Sequence, residues 1–291
     1  MKKNHHSRTA VSAAVVRAFH TAFETPVVFD DPYAGRLAGP VWQKISGLRL
    51  CYWFGTRIIY SGLDPIRRQI VARARYAEDK LEAAAAAGIN QYVIIGAGFD
   101  SFAFRRTDLT GNNLSVFELD HPASQRAKKS RLRKLRLALP EKHEFVGIDF
   151  ESEGLCEALA DSSFSRKHPA FFSWLGTVHY LTPQAVIATL NAIAACAGRG
   201  SELVLDYSGP EGLAAASDQK MVKQLKRYTD RRGEPMLSTF EPQQFRQIVS
   251  QAGFQLLETI SPEEQASRYF TLPNGKTQPM PGSYFAHLRR S

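Results

Sequence analysis

Within residues 91–120, QYVIIGAGFDSFAFRRTDLTGNNLSVFELD, glycines and acids stand at spacings that can hold a nucleoside. Gly96-Ala97-Gly98 follows directly on the apolar run Tyr92-Val93-Ile94-Ile95. Two glycines one residue apart allow a sharp backbone turn and a closer ligand approach than any Cβ would permit. About 20 residues on, a second apolar run, Leu114-Ser115-Val116-Phe117, leads to Glu118 and Asp120. A carboxylate at that strand tip can accept both hydroxyl protons of a ribose. A third strand candidate, at 144–148, runs into Asp149 and Phe150. There an acid can accept from an adenine amino group and a ring can cover the base. Plainer readings exist for each part. The glycine turn fits any backbone needing positive φ, Ser101 replaces the third glycine of G-x-G-x-x-G, and Asp149 can cap the following helix. Three consecutive strand ends carrying glycine, acid and acid nevertheless point to a nucleoside ligand.

Elements must position these groups. From residue 91 onward strand and helix patterns alternate, which predicts an α/β fold with a mostly parallel sheet. Strands are expected at 91–95, 114–119, 144–148, 170–175, 202–206, 254–259 and 282–289, with helices at 122–138, 152–161, 183–197 and 241–252. Residues 260–281 show no clear periodicity. They predict a hairpin-like ending whose last strand, SYFAHLRR, runs antiparallel at or near the sheet edge. Residues 209–239 are expected to hold an insertion with one helix, KMVKQLKRYTD.

Upstream, 9–23 carries one apolar helical face, and 41–63 is aromatic-rich and irregular, a candidate lid. We divide the chain into an N-terminal helical lid, 1–63, and a core, 64–291. Asp64-Pro65 opens the clearest helix, Gly88 closes it, and Ile66, Ile70, Ala74, Ala77 and Leu81 form its expected buried stripe. On its other face, Arg75 stands four residues before Asp79, the spacing of a surface ion pair.

The formal charge of +9 is concentrated in 126–136, RAKKSRLRKLR. No aromatics interleave there, so a helix with a solvated basic face is expected rather than a nucleic-acid surface. No stretch is long and apolar enough for a membrane span, and no signal peptide is read. Cys51, Cys156 and Cys196 lie far apart, predicting neither a disulfide framework nor a zinc site. The expectation is a cytoplasmic protein without metal that meets a small molecule, with no nucleic acid or membrane as partner.

The segments GAGFDSFAFR, ELDHP with Lys128 beyond it, VGIDF, SWLGTVHYLT and SELVLDY together resemble the leucine carboxyl methyltransferase family. The closer resemblance is to its bacterial branch of class I S-adenosylmethionine (SAM)-dependent O-methyltransferases. SRTAVSAAVVRAFH and DPYAGRLAG resemble that branch too, so the similarity spans roughly 7–207. It implies a Rossmann-like seven-stranded SAM-methyltransferase core, with N-terminal helices roofing cofactor and acceptor. The family's carboxylate-gripping arginine corresponds to Arg75, with Arg73 as the alternative. Its glycine turn is Gly96-Ala97-Gly98, its ribose acid Asp120, and its adenine-side pair Asp149-Phe150. Leu175 departs from the glutamate that phosphatase-modifying members carry. A cofactor contact is then absent or replaced, and a phosphatase carboxyl terminus is disfavoured as substrate.

By this resemblance His179 lies where the acceptor is placed and is the candidate base, with Tyr207 as a pocket wall. Phe23, Trp42 and Trp53 either shape the pocket from the lid or pack ordinarily. The implied activity is O-methylation of a carboxylate or hydroxyl on a small, polyketide-like or other secondary metabolite. Its rivals are an NAD- or nucleotide-sugar-binding Rossmann enzyme and a non-catalytic SAM-fold binding protein. Nucleic-acid modification is the weakest alternative, since an N-P-P-Y-type motif is absent.

Overall fold

A computed structural model of the chain describes residues 8–59, 63–150, 152–210 and 236–291. The expected inserted helix at 209–239 falls almost wholly outside the described residues. The chain opens with α1 (Arg8–Phe23), α2 (Ala34–Ala38), α3 (Pro40–Ile45) and α4 (Arg49–Phe54), then a single π-helical turn at Gly55–Ile59. Short helices thus replace the irregular segment expected over 41–63. The long α5 (Asp64–Ala86) ends where Gly88 takes a φ of +99°, as the glycine stop predicted.

Strand β1 (Gln91–Ile95) leads through the glycine turn into two short helices, α6 (Phe102–Arg105) and α7 (Thr107–Thr110). Then follow β2 (Ser115–Asp120), α8 (Pro122–Leu135), β3 (His143–Gly147), α9 (Leu155–Ala160), β4 (Phe171–Trp174), α10 (Pro183–Cys196) and β5 (Glu202–Ser208). The chain closes with α11 (Pro242–Gln251), β6 (Phe254–Ile260), α12 (Pro262–Tyr269) and β7 (Ser283–Arg290). The sheet order is β3-β2-β1-β4-β5-β7-β6. Pairs among β1–β5 are parallel, while β7 runs antiparallel to both β5 and β6.

The last strand is antiparallel and lies near the edge, as expected, between β5 and the edge strand β6. One expectation needs correction here. The irregular stretch after β6 contains α12, whose start is a capping box between Ser261 and Glu264. The helix is only eight residues long and carries Glu263, Glu264 and Arg268, so periodicity over a longer window conceals it.

Alternation along the strands divides the core. Val93, Ile95, Phe117, Leu119, Phe172, Trp174, Leu203 and Leu205 face α9, α10 and α11. Tyr92, Ile94, Val116, Phe171 and Val204 face α5. A third cluster, including Ala14, Val15, Phe19, Leu37, Phe99 and Leu132, packs α1 and α2 against the glycine turn and α8. Helix α5 is therefore covered on two sides. Gln69 and Glu78 are buried within it, and the single stripe expected from its aliphatic residues is too narrow.

Cys156 and Cys196 are joined by a disulfide between α9 and α10, with their Cα atoms 5.3 Å apart. A separation of 40 residues hid this pairing in the sequence. The basic run on α8 is only partly a solvated face. Lys128 is fully buried against Glu118, and Arg131 lies over the Phe99 ring and donates to the Leu37 carbonyl. The helix stops at Leu135 rather than 138, with Arg136 in the left-handed region, so Leu139 lies beyond it.

Candidate active site

The C-terminal ends of β1, β2, β4 and β5 open into a cleft of two joined chambers beneath α1. The larger, about 260 Å³, is lined by Gly96, Ala97, Gly98, Asp120, Phe150 and Leu175 among others. The smaller, about 90 Å³, is lined by Ser12, Val16, Ile66, Gln69, His179 and Ser208 among others. Thr9, Ala13, Ile70, Arg73, Gly176 and Tyr180 belong to both and form the neck.

Three glycines shape the cleft. Gly96 and Gly98 have φ of +72° and +51°, where L side chains are strained. A Cβ on Gly98 would come within 2.9 Å of Ala10 on α1, so the turn and its roof approach because no side chain separates them. Gly176, with φ of +70°, ends β4 at the neck, and a Cβ there would occupy the place of the Arg73 guanidinium.

Asp120 sits where the second strand was expected to present an acid. Its carboxylate accepts from the backbone amides of Gly98 (2.5 Å) and His121 (2.6 Å). Burial pushes its pKa up, against the pull of those two donors. Two oxygens offer about four acceptor positions, so the group retains capacity for a diol. Glu118 lies one strand repeat behind the tip. It turns under α8 to meet Lys128 and His143, and so has no part in the cleft. Phe150 stands half-exposed at the rim of the larger chamber. Asp149 is not among the residues lining that chamber, and its carbonyl accepts from the amides of Ser152 and Glu153.

The arginine assignment changes. Arg75 extends outward, about half exposed, and its Nε donates to Asp79 at 2.7 Å, the surface pair that its spacing also allowed. Arg73 lines both chambers and donates to Asp206 at 3.3 Å. Two residues along an α-helix turn through about 200°, so only one of the two can face the cleft. Ile66, Gln69, Ile70 and Arg73, spaced i, i+3, i+4, i+7, form the cleft face of α5.

Tyr207 is also relocated. Successive strand residues point to opposite faces, and Tyr207 stacks on Phe245 at 4.0 Å in the core on the far side of the sheet. Its neighbour Ser208 lines the smaller chamber instead. Asp206, on the same face as Ser208, is fully buried and organises the neck. It accepts from Gln69 (3.1 Å), Arg73 and the Gly176 amide (2.6 Å). In the sequence Asp206 stands within SELVLDY, and strand alternation, which puts it on the face opposite Tyr207, is the signal that singles it out.

His179 lies in the smaller chamber on a 3₁₀ turn, Val178–Tyr180. That turn is held by bonds from the Leu237 and Ser238 amides to the His179 carbonyl. Its Nδ1 is buried without a hydrogen-bond partner among the described residues. Burial, with Arg73 nearby, lowers its pKa to about 4, partly offset by Asp206. The imidazole is therefore neutral near neutral pH, able to accept a hydrogen bond but a weaker base than a free imidazole. Phe23 packs with Tyr52 and Trp53 projects outward, while Trp42 joins the core under the lid; none of the three lines either chamber. Arg17, unmarked in the sequence, lines the larger chamber from α1 and is fixed by Asp31 (2.9 Å) and the Phe99 carbonyl (2.8 Å).

The donor set fits SAM: a positive-φ glycine turn without side chains, an acid beside it and an arginine at the neck. Leu175 presents an aliphatic surface to the larger chamber, so the contact that a glutamate would make is replaced by an apolar one. No group of residues suited to hold a metal occurs among those described. No helix among them is long and apolar enough to cross a membrane.

Comparison with known proteins agrees with this geometry. The leucine carboxyl methyltransferase family model matches residues 10–194. A Bacillus subtilis (strain 168) protein named "Putative S-adenosyl-L-methionine-dependent methyltransferase YktD" is 30% identical over 93% of both chains. A Mycolicibacterium gilvum protein of the same description is 32% identical over 77% of this chain and 73% of its own. In fold, the chain is similar to a DUF574 family protein from Streptomyces avermitilis, with TM-score 0.61 and 13% identity over 100% of this chain and 98% of that one. It is also similar to a "putative methyltransferase" from Thermobifida fusca, with TM-score 0.60 and 16% identity over 96% and 94%.

Proposed function

The chain belongs to the leucine carboxyl methyltransferase family and is a SAM-dependent methyltransferase; from that premise we propose that it methylates a hydroxyl oxygen of a small, largely apolar molecule. The observation that carries this reading is the His179 imidazole, which lines the chamber beyond the Arg73 neck.

In this reading the larger chamber takes the nucleoside part of SAM. The glycine turn admits it closely, Asp120 accepts from the ribose hydroxyls and Phe150 covers the base at the rim. Arg73 holds the amino-acid carboxylate through charge-assisted hydrogen bonds, and Asp206 and Gln69 fix the guanidinium's approach. The chemistry the cofactor supplies when bound is a methyl group on a positively charged sulfur. The apolar walls of Ala13, Val16, Ile66 and Ile70 keep water from the neck. That setting favours a reaction in which charge is lost. The His179 imidazole accepts the acceptor's hydroxyl proton as the oxygen attacks. Rigid placement of the acceptor by the chamber supplies the rest.

A carboxylate acceptor, suggested by the family's name, is the second reading and needs no base. Arg67 is the other cation lining the smaller chamber, and it is already paired with Glu24 and Asp64. An anionic acceptor would therefore compete with existing ion pairs, and this favours the hydroxyl. The test uses SAM with a labelled methyl group and a panel of phenols, alcohols and carboxylic acids. Labelled product that survives mild alkali is an ether, as expected; label released as methanol is an ester and would move the assignment to carboxylates. Binding of NAD in place of SAM by calorimetry would overturn both.

A further inference from the structure

The lid carries an apolar surface that the methyltransferase site does not use. Val41, Leu48, Leu50, Trp53, Phe54 and Ile58 are each between 47% and 67% exposed. They come from α3, α4 and the π turn, whose inner sides are occupied. Tyr52 packs on Phe19 and Phe23, and Gly55 lies close to the Phe19 ring. The six outer side chains line neither chamber. Six large apolar side chains exposed within residues 41–58, with the Trp53 and Phe54 rings 5.1 Å apart, exceed the single scattered exposures of an ordinary surface.

Its charge is one-sided. Residues 32–63 contain no acid, and Lys44, Arg49 and Arg57 lie exposed among the apolar side chains. The nearest acids in sequence are turned to other work: Asp31 pairs with Arg17, and Asp64 with Arg67. A second copy of the same face would set these cations against their own counterparts with no acid between them, which disfavours self-association. A bulky aliphatic and aromatic surface with cations interspersed matches the boundary of an anionic bilayer, where rings and leucines enter and Lys and Arg meet the headgroups.

We infer that the outer face of residues 40–58 rests on an anionic lipid surface. This differs from the sequence expectation of no membrane partner, which rested on the missing span; a surface contact needs none. The contact is independent of which acceptor is methylated.

The test is co-sedimentation of the full chain with vesicles of phosphatidylcholine alone and of phosphatidylcholine with phosphatidylglycerol. Binding is expected to the mixed vesicles, at least ten-fold stronger than to the neutral ones, and falling as salt is raised. Leu50→Glu with Phe54→Glu should reduce binding ten-fold or more while SAM affinity by calorimetry stays unchanged, showing that the fold is intact. Lys44→Glu with Arg49→Glu should reduce binding to mixed vesicles alone. Equal binding to both vesicles, or binding that survives the Leu50 and Phe54 changes, would overturn the inference. So would no binding together with a dimer in sedimentation velocity that those changes dissociate, because a second copy would then be the occupant.

Discussion

Two buried charge clusters lie on the same sheet and do different work. Under α8, Glu118 meets Lys128 and, at 3.0 Å, His143; all three side chains are essentially inaccessible. At the neck, Asp206 is equally buried, yet one of its partners, Arg73, opens onto both chambers. The partners of the first cluster all end inside the protein, with the Gln125 side chain adding bonds to the Glu118 and Val146 carbonyls and His143 Nδ1 buried without a partner among the described residues. The second is open: among the described residues Arg73 makes one long bond, to Asp206, and its side chain lines the cleft. What separates a structural charge from a functional one here is therefore not burial but whether its partners end inside the protein.

The largest expected effect is on the closed cluster. Lys128→Met strands a buried carboxylate and should cost about 3–5 kcal/mol in denaturant unfolding, with SAM affinity nearly unchanged. Loss of SAM binding in a fold of full stability would invert the comparison. The same cluster should show in acid. Lys128 and His143 hold the Glu118 pKa at about 2, below its ordinary 4.5. Its stabilisation is then full above about pH 4.5 and is lost as pH falls toward 2. The stability difference between variant and wild type should therefore narrow as pH falls from about 4.5 toward 2.

Next in size is the open cluster. Arg73→Met should weaken SAM binding by about 1.5–3 kcal/mol, the range for hydrogen bonds to charged groups, with a smaller change in melting temperature. Asp120→Ala should weaken it by about 1–3 kcal/mol on the same grounds. Calorimetry decides both, and unchanged affinity in the pair would remove the cleft from consideration as the SAM site.

For His179, imidazole NMR should find a titration midpoint near 4 rather than 6.5, because burial disfavours the charged form. The folded-state pKa lies below the unfolded value, so its contribution to stability falls as pH drops from about 6.5 to 4. His179→Gln should lower kcat on a hydroxyl acceptor and leave SAM binding intact; full turnover would show that it is not the base. The smallest effect is expected at Arg75→Ala, a few tenths of a kcal/mol in stability from one exposed helix pair. SAM affinity should not change. A marked loss there would restore Arg75 in place of Arg73.

Much of the frame was legible in the chain. The glycine turn after β1, the acid ending β2 and the alternation of elements are local patterns, and local patterns have local causes. Gly96 and Gly98 adopt positive φ because the residue type allows it. The strand at 91–95 is continuous and apolar because both its faces are covered. The site was less legible. Arg73 and Arg75 are equivalent as letters, and helix phase against a neighbouring sheet chose between them. Tyr207 was placed one residue out of step with the strand face that meets the cleft. Asp206 gave no sign of its partners, which come from α5 and the end of β4.

The amino-acid order alone thus determined the strands, most of the helices and a nucleoside-binding turn, since each depends on the torsional and hydrophobic preferences of near neighbours. Tertiary structure decided which arginine enters the cleft, where β7 inserts, that Cys156 meets Cys196, and how a charged residue is satisfied or left facing a cavity. Those outcomes depend on side chains brought together from distant positions, and the distance between them in space is not written in their spacing along the chain.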